Sequence, residues 1–216
     1  MRILKISLAI FFSAILFMSC EDDFYLPKPK SYFRIDLPNK SYSQSKEKNL
    51  PFTFMQAKYS AIEFKKEFGK FNIVYPLVRA RVHCTYFHLE SMDLQALIED
   101  CYNLAYQHNI KATAINANRF TNDSSKVHGV LYELKGNSAS PIQFFMTDST
   151  NHFLRGSLYF ETKTNADSLA PVTAYLKEDI ELLFSTLNWN SLKTNNSLSL
   201  KMSLFLQPHL ANLHQT

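Results

Sequence analysis

Glycine is scarce in this chain, with four in 216 residues. A loop that cradles phosphates needs glycines to bring backbone N–H groups against the ligand, and neither a Walker nor a dinucleotide fingerprint occurs. No Gly-x-Ser-x-Gly segment sets a serine on a strained strand-to-helix turn, so Ser140 and Ser149 read as turn serines. No His-Glu-x-x-His pair offers two zinc ligands on one helix face. His83 and His88 lie five apart in one strand region, and the pleat sends them to opposite faces. Lysine and arginine do not cluster, so a nucleic-acid role has no electrostatic footprint. No apolar run reaches the roughly 20 residues of a comfortable membrane span. These absences lead to an expectation of no catalytic residues, no metal and no cofactor.

The first 23 residues give the rest its context. Arg2 and Lys5 form a basic tip, Ile6 to Met18 an apolar run, and Ser19-Cys20 precede Glu21-Asp22-Asp23. A positive tip ahead of a short apolar core is an export signal. Cys20 stands where a bacterial lipoprotein signal peptidase cuts, with Leu16 and small Ser19 ahead of it; Phe17 and Met18 are bulkier than is usual there. The expectation is removal of residues 1–19 and fatty acylation, palmitate in kind, of Cys20. One acyl chain at about 0.8 kcal/mol per buried methylene holds only marginally, so a durable anchor needs the two or three chains of a bacterial lipoprotein. The formal charge of +4 falls by two with Arg2 and Lys5. Residues 20–30 read as a tether, in which Pro27-Lys28-Pro29-Lys30 favours extended geometry. The remaining length fits a single domain, 31–190, and a tail, 191–216. Cys84 and Cys101 are open to two readings, a bridge in an oxidising compartment or two buried thiols.

Aromatic residues make up 14% of the chain, which with so little glycine points to a strand-rich, well-packed domain. Tyr32 to Leu37 alternates and meets Pro38, the pattern of a short first strand or edge segment. Residues 39–49 read as a polar loop. Phe52-Thr53-Phe54 and the stretches 60–67, 72–75 and 80–89 read as strands. The last sets Val82, Cys84 and Tyr86 on one face and Arg81, His83 and Thr85 on the other. Ser91 is expected to cap a helix with Asp93 in its first turn. Its apolar face is Leu94, Leu97, Ile98, Cys101, Leu104 and Ala105, with His108 at its negative end. Strands follow near 112–121, 127–134, 142–147 and 153–161, joined by turn-forming residues. Short links between successive strands mean antiparallel pairing. Asp167 or Ser168 is expected to cap a second helix, with Pro171 in its first turn. Val172, Leu176, Ile180, Leu183 and Leu187 form its buried stripe, and Trp189 closes the core. The fold class is α+β, an antiparallel sheet of about six to eight strands packed by two main helices. In the tail, apolar residues alternate from 198 to 206; a poorly ordered tail is expected, with an added edge strand as the alternative.

The adjacent carboxylates Glu99-Asp100 and Glu178-Asp179 point about 100° apart on a helix, so both pairs read as solvated. Two polar patches stand out. In the hairpin from Asp148 to Arg155, with His152, Asp148 and Arg155 either brace the turn or meet a partner. In the segment from Tyr75 to Arg81, Arg79 and Arg81 share a face beside aromatics, a composition found at interfaces and also in ordinary solvated charge. Arg79, Arg81, Asp148, His152 and Arg155 are therefore the candidate interaction surface. Asp167-Ser168-Leu169 resembles an O-glycosylation site and serves equally well as a helix cap.

Taken in order, a set of short pieces resembles the gliding-motility lipoprotein D (GldD) family of Bacteroidetes. They are Pro27-Lys-Pro, Tyr32-Phe-Arg, Pro51-Phe-Thr-Phe54, Ile73-Val-Tyr-Pro76, His108-Asn-Ile-Lys-Ala112, Gln143-Phe144, Thr147-Asp148-Ser149-Thr150, His152-Phe-Leu-Arg-Gly156, Ser157-Leu-Tyr-Phe160, Asn165, Asp167-Ser168, Pro171 and Trp189. No single piece is specific; the ordered set is, and it spans nearly the whole chain up to residue 190. Members of that family carry a cysteine just before the Pro-Phe-Thr-Phe piece and another shortly before the Ile-x-Tyr-Pro strand. Here Leu50 and the 68–70 region stand in those places, which the resemblance implies is the loss of a disulfide pair. The strand-and-helix order is also similar to the PsbP/Mog1-like fold. The resemblance implies a membrane-anchored, non-enzymatic component of the gliding-motility and type IX secretion machinery, acting through other gliding or secretion proteins. The alternative is a periplasmic module that holds a lipid, glycan or small molecule between sheet and helix. A large apolar pocket would favour the second, and a solid core with an exposed aromatic or arginine patch the first. The residues do not say which membrane holds the anchor; the outer membrane, with the domain facing the periplasm, is the expectation.

Overall fold

The structure, a computed structural model, describes residues 36–45, 47–107, 112–162 and 165–190. The readings made for the leader, Cys20, the tether, His108 and the tail fall outside the described residues. The elements in chain order are β1 (Tyr42–Gln44), β2 (Phe52–Thr53), β3 (Met55–Ala57), β4 (Ala61–Phe64), β5 (Lys70–Tyr75), β6 (Ala80–His88) and α1 (Leu94–Gln107). They continue with β7 (Ala112–Asn122), β8 (Val127–Gly136), β9 (Ile142–Thr147), β10 (His152–Phe160), α2 (Ala166–Thr186) and β11 (Asn188–Trp189).

Seven strands form one antiparallel sheet in the order β4-β5-β6-β10-β9-β8-β7. The chain builds β4 to β6 by hairpins and crosses over through α1 to the far edge. It then returns through β7, β8 and β9, so that β10 closes against β6. Two small pairs, β1 with β3 and β11 with β2, lie beside it. The expected α+β class and the strand number of the sheet are those observed.

Period-two alternation divides the sheet's side chains between two cores. On one face Val82, Cys84, Leu131, Phe144, Met146, Leu154 and Leu158 meet Val172, Leu176, Ile180, Leu183 and Phe184 of α2. On the other, Tyr132, Leu134, Phe145 and Phe153 meet Leu97, Cys101 and Ala105 of α1. Each fully buried large apolar side chain contributes about 1.5–3 kcal/mol, so a handful pins each helix. Strand β9, covered on both faces, is buried at all six positions. Cys84 points toward α2 and Cys101 lies on α1. The sheet separates them, and both thiols are free and buried.

Several local expectations are corrected. The stretch read as a polar loop contains β1, because Tyr42, Ser43 and Gln44 pair with Ala57, Gln56 and Met55. Asp93, not Ser91, caps α1: its carboxylate accepts the Gln95 N–H at 2.9 Å and its carbonyl the Leu97 N–H at 3.2 Å. Asn165 caps α2, one turn ahead of the expected start. It accepts the Ser168 N–H at 3.4 Å, which sets Pro171 in the second turn. Asp36 and Leu37 are not in a strand. Leu50 is buried in the α2-side core, and Gly69 takes φ 75° so that its carbonyl accepts the Tyr86 N–H at 2.8 Å.

At Gly129 of β8 the Phe184 ring of α2 lies close against the sheet. A Cβ there would strike the Phe145 carbonyl oxygen and the Phe184 ring. Relief would have to come from the backbone of a central strand, and overpacking of this kind costs about 1–3 kcal/mol or more. Gly129→Ala is expected to lower stability by about 3 kcal/mol in urea unfolding, against under about 0.5 kcal/mol for Asn116→Ser at the exposed edge.

Candidate functional site

Among the described residues Asp179 is the one buried carboxylate. It lies in the apolar stripe of α2, with its side chain 3% exposed. It accepts hydrogen bonds from Lys40 Nζ at 2.7 Å, Tyr42 Oη at 2.8 Å and Tyr59 Oη at 2.9 Å. Lys40 also donates to the Tyr175 carbonyl at 2.6 Å and sits 3.8 Å over the Tyr175 ring, while the Tyr175 hydroxyl donates to the Pro38 carbonyl at 2.7 Å. Burial pulls the Lys40 pKa down, but the hydrogen bond and charge of Asp179 outweigh it and hold it above its ordinary value. Burial, then Tyr175 and Asp179, push the Tyr59 hydroxyl far above the usual phenol range. The result is a closed ion-pair knot that fastens residues 38–42 and the loop after β3 to α2. The reading of Glu178-Asp179 as a solvated pair is corrected: Glu178 is 67% exposed, but Asp179 is sealed. The spacing of Val172, Leu176, Asp179 and Leu183 is the available signal, since it sets Asp179 on the buried face.

A second polar cluster sits at the turn between β9 and β10. The Asp148 carboxylate accepts the backbone N–H groups of Thr150, Asn151 and His152 at 3.0, 2.8 and 2.8 Å. Burial raises its pKa, and these donors more than reverse that, holding the carboxyl below its usual range. His152 turns inward and is 4% exposed. Its Nδ1 is 2.7 Å from the Tyr86 hydroxyl, and its ring stacks on Trp189 at 5.0 Å with planes 2° apart. Trp189 in turn meets Phe52 edge-on at 5.6 Å and donates its indole N–H to the Lys126 carbonyl at 3.1 Å. Burial lowers the His152 pKa; Asp148 opposes this and His88 adds to it.

The five sequence candidates fall in separate places. Arg155 faces α1, ion-paired with Asp100 and 5.4 Å over the Phe87 ring, whereas His152 faces α2. Arg81 bridges Glu63 at 2.5 Å and Glu161 at 3.0 Å at the far end of β6. Arg79 is exposed in a left-handed turn at φ 49°. Asp148 and His152 share their turn, but the group does not converge on one patch. Ser168 lies in the first turn of α2, its hydroxyl donating to the Asn165 carbonyl at 3.2 Å. A groove of about 450 Å³ separates the first turns of α2 from the ends of β8, β9 and β10, walled by Leu134, Ile142, Phe160, Leu169, Ala170 and Lys177. Among the described residues no three His, Cys, Asp or Glu side chains are placed to hold a metal ion, and no helix is long and apolar enough to cross a membrane.

The sequence matches the family described as gliding motility lipoprotein GldD over residues 22–189, which takes in every described strand and helix. The chain belongs to the GldD family. Membership sets it among the gliding-motility lipoproteins of the cell envelope. A comparison with curated protein sequences gives no match. Among solved structures the chain is similar to the cyanobacterial PsbP protein CyanoP of Synechocystis sp. PCC 6803, at 11% identity and TM-score 0.43, over 74% of this chain and 98% of that one. It is also similar to the Ran-binding protein Mog1p of Saccharomyces cerevisiae, at 8% identity and TM-score 0.45, over 69% of this chain and 96% of that one.

In this GldD-family chain the Asp179 knot is expected to be structural. Asp179→Ala leaves the Lys40 ammonium and two tyrosine hydroxyls without their acceptor. Removing one partner of a buried ion pair costs roughly 3–5 kcal/mol. Lys40 is 24% exposed and can hydrate, so a loss of about 3 kcal/mol in urea unfolding is expected. Glu178→Ala should cost under about 0.5 kcal/mol, and equal small losses for the two would refute the knot's role.

The depressed His152 pKa also has a consequence for acid stability. Above about pH 6.5 the imidazole is neutral whether the chain is folded or not. Below that the unfolded chain takes up the proton first, so stability is lost as pH falls toward the lower folded value. His83, lowered chiefly by burial, adds to the same slope. The Tm of His152→Gln is therefore expected to fall less steeply than that of the parent between about pH 7.5 and about pH 5, a difference readable by thermal-shift titration.

Proposed function

We infer that this protein is a non-catalytic, lipid-anchored assembly component of the gliding machinery, working by contact with other envelope proteins. The observation that carries this, beside family membership, is that the side chains with chemical potential are consumed by the fold. Asp179 is held by Lys40, Tyr42 and Tyr59. His152 is held by Tyr86 and Trp189, and Ser140, fully buried, donates to the Ile142 carbonyl. A catalytic group has to be free to exchange protons or bonds with a substrate, and these groups are not. What faces outward is ion-paired charge, the exposed Arg79 and aromatic surface.

The finer reading is that Cys20 carries the acyl chains, that residues 20–30 space the domain from an outer membrane, and that the domain faces the periplasm among type IX secretion components. Of Arg79, Arg81, Asp148, His152 and Arg155, only Arg79 is exposed and the others are buried or half-buried, so Arg79 alone of the five enters this reading as a contact residue. A second reading, a ligand-binding module, draws on the groove of about 450 Å³ beside α2, a volume within the usual range for ligand clefts.

Three measurements test these readings. Mass spectrometry of the native protein should find a mature chain beginning at an acylated Cys20, and Cys20→Ser should shift it from the membrane to the soluble fraction. Deletion in a gliding bacterium should stop gliding, and capture from gently solubilised membranes should recover identified motility or secretion proteins. Intact gliding in the deletion strain would remove the assembly reading. A fatty acid or glycan that raises the Tm of the parent but not of Leu169→Trp would favour the ligand module instead.

A further inference from the structure

The two edges of the main sheet are finished differently. At one edge β4 has four residues, and its Glu63 is tied to Arg81. At the other, β7 has eleven residues and carries no proline, lysine, aspartate or glutamate. It pairs with β8 along one side, with a single irregularity near Ala112 and Ala114 and continuous register from Ala114 to Asn122. Short strands, charges and prolines are the usual means of blunting an edge. With Arg119 as its one charge, β7 still offers a row of backbone N–H and C=O groups to one more strand.

Above this edge the face is aromatic. Tyr102 and Tyr106 of α1 stack at 4.2 Å. Tyr106 meets Tyr132 of β8 edge-on at 6.5 Å, and Tyr132 is the register partner of Ala117 in β7. The ring pair therefore overhangs the β8–β7 margin on the α1 side, and Tyr102 is 48% exposed. On that same face β7 presents Ile115, Ala117, Arg119 and Thr121. Arg119, opposite Val130, is exposed, and among the described residues it has no carboxylate partner.

We propose that β7 is a strand-addition edge that takes an extended segment of a partner protein, with alternate apolar side chains packed against Tyr102 and Tyr106 and a carboxylate on Arg119. This rests on the reading of the protein as an assembly component and names its contact surface. Charge selects the occupant. A second copy pairing edge to edge brings a β7 with no acidic residue, and residues 191–216 of this chain contain none either. Either would leave Arg119 uncompensated; an acidic strand from another protein would not. Backbone pairing supplies affinity with little sequence demand, and Arg119 and the two tyrosines supply the choice.

The test uses the full-length protein in detergent and capped nine-residue peptides of alternating valine and threonine with a central aspartate, or with lysine in its place. Hydrogen exchange is followed across residues 112–122. Alone, the β7 amides that face away from β8 should exchange fast, and the aspartate peptide should slow them at least tenfold. Tyr102→Ser should weaken that protection several-fold, and Arg119→Glu, at an exposed site, should switch the preference to the lysine peptide with an unchanged Tm. Protection by neither peptide overturns the proposal. So does β7 protection without peptide, if it rises with protein concentration, which assigns the edge to a second copy, or if it vanishes on deleting 191–216, which assigns it to this chain. In cells, intact gliding in Arg119→Glu alongside loss of gliding in the deletion strain overturns the edge proposal and leaves the assembly reading standing.

Discussion

The pairing of β6 with β10 is the contact on which the rest of the domain depends. It runs for nine residue pairs, from His88 opposite His152 to Ala80 opposite Phe160. Within the main sheet it is the ladder that joins the strands before α1 to those after it. Because side chains alternate with a period of two, this one register decides the content of both cores. Leu154 and Leu158 go to the α2 side, Phe153 and Arg155 to the α1 side. A slip of one residue would set the Arg155 guanidinium among leucines and take Phe153 out of the α1-side core. Gly156 leaves room on the ladder where the Phe144 ring lies over it. Loop closure across so many residues is costly, and the area that both helices bury on this pair of strands is what offsets it.

Hydrophobic burial explains why α2 lies on the sheet but not why residues 36–45 lie on α2. A leucine at position 179 would bury as well as the aspartate and would say nothing about where Lys40 and Tyr42 belong. The carboxylate demands donors, and Lys40, Tyr42 and Tyr59 together satisfy it. A buried ion pair is weak support for stability compared with an apolar substitute, but it is strict about geometry. The knot thus settles where the polypeptide entering the domain is fastened, and it does so on the helix with the deepest stripe.

Much of this architecture is legible in the residues, for reasons that also mark the limit. The alternation from Ala80 to His88 and the run from Ile142 to Thr147 report burial directly, since a pleated strand has a fixed period. The helix stripes at Leu97 and Cys101, and at Val172, Leu176, Ile180 and Leu183, report it as well. The caps at Asp93 and Asn165 lie two or three residues from where the sequence sets them, because several cap-forming residues stand in a row and tertiary packing chooses among them. The β1 strand escapes a reading of the sequence because Tyr42-Ser43-Gln44 carries little apolar signal; its partner is only eleven to fifteen residues on, and Asp179 holds it from 137 residues away. Asp179 itself reads as solvated only when its chemistry is weighed above its position in the stripe. His152 is legible as a polar residue on a hairpin but not as a buried one, since its partners Tyr86 and Trp189 are distant in sequence.

These particulars bear on where the protein acts. Polar groups inside a low-dielectric interior are costly unless matched, and here they are matched to one another: Asp179 to three donors, His152 to a phenol and an indole face, Arg81 to two carboxylates. Freeing a group so engaged would cost the fold the interaction that holds it. Binding free energy must then come from what the fold leaves unspent. That is open backbone at a sheet margin, rings with one face in water, and cations without anions. On the assembly reading, such features suit chains better than small molecules, since their strength is spread along an edge instead of converging on a point. A domain fixed to a lipid surface gains most from this arrangement. Partners in the same envelope, as proposed, would be a short search away, and modest contacts made side by side would add through effective concentration. Selection on such a protein would act on its exposed margin, while its core has only to hold that margin in shape.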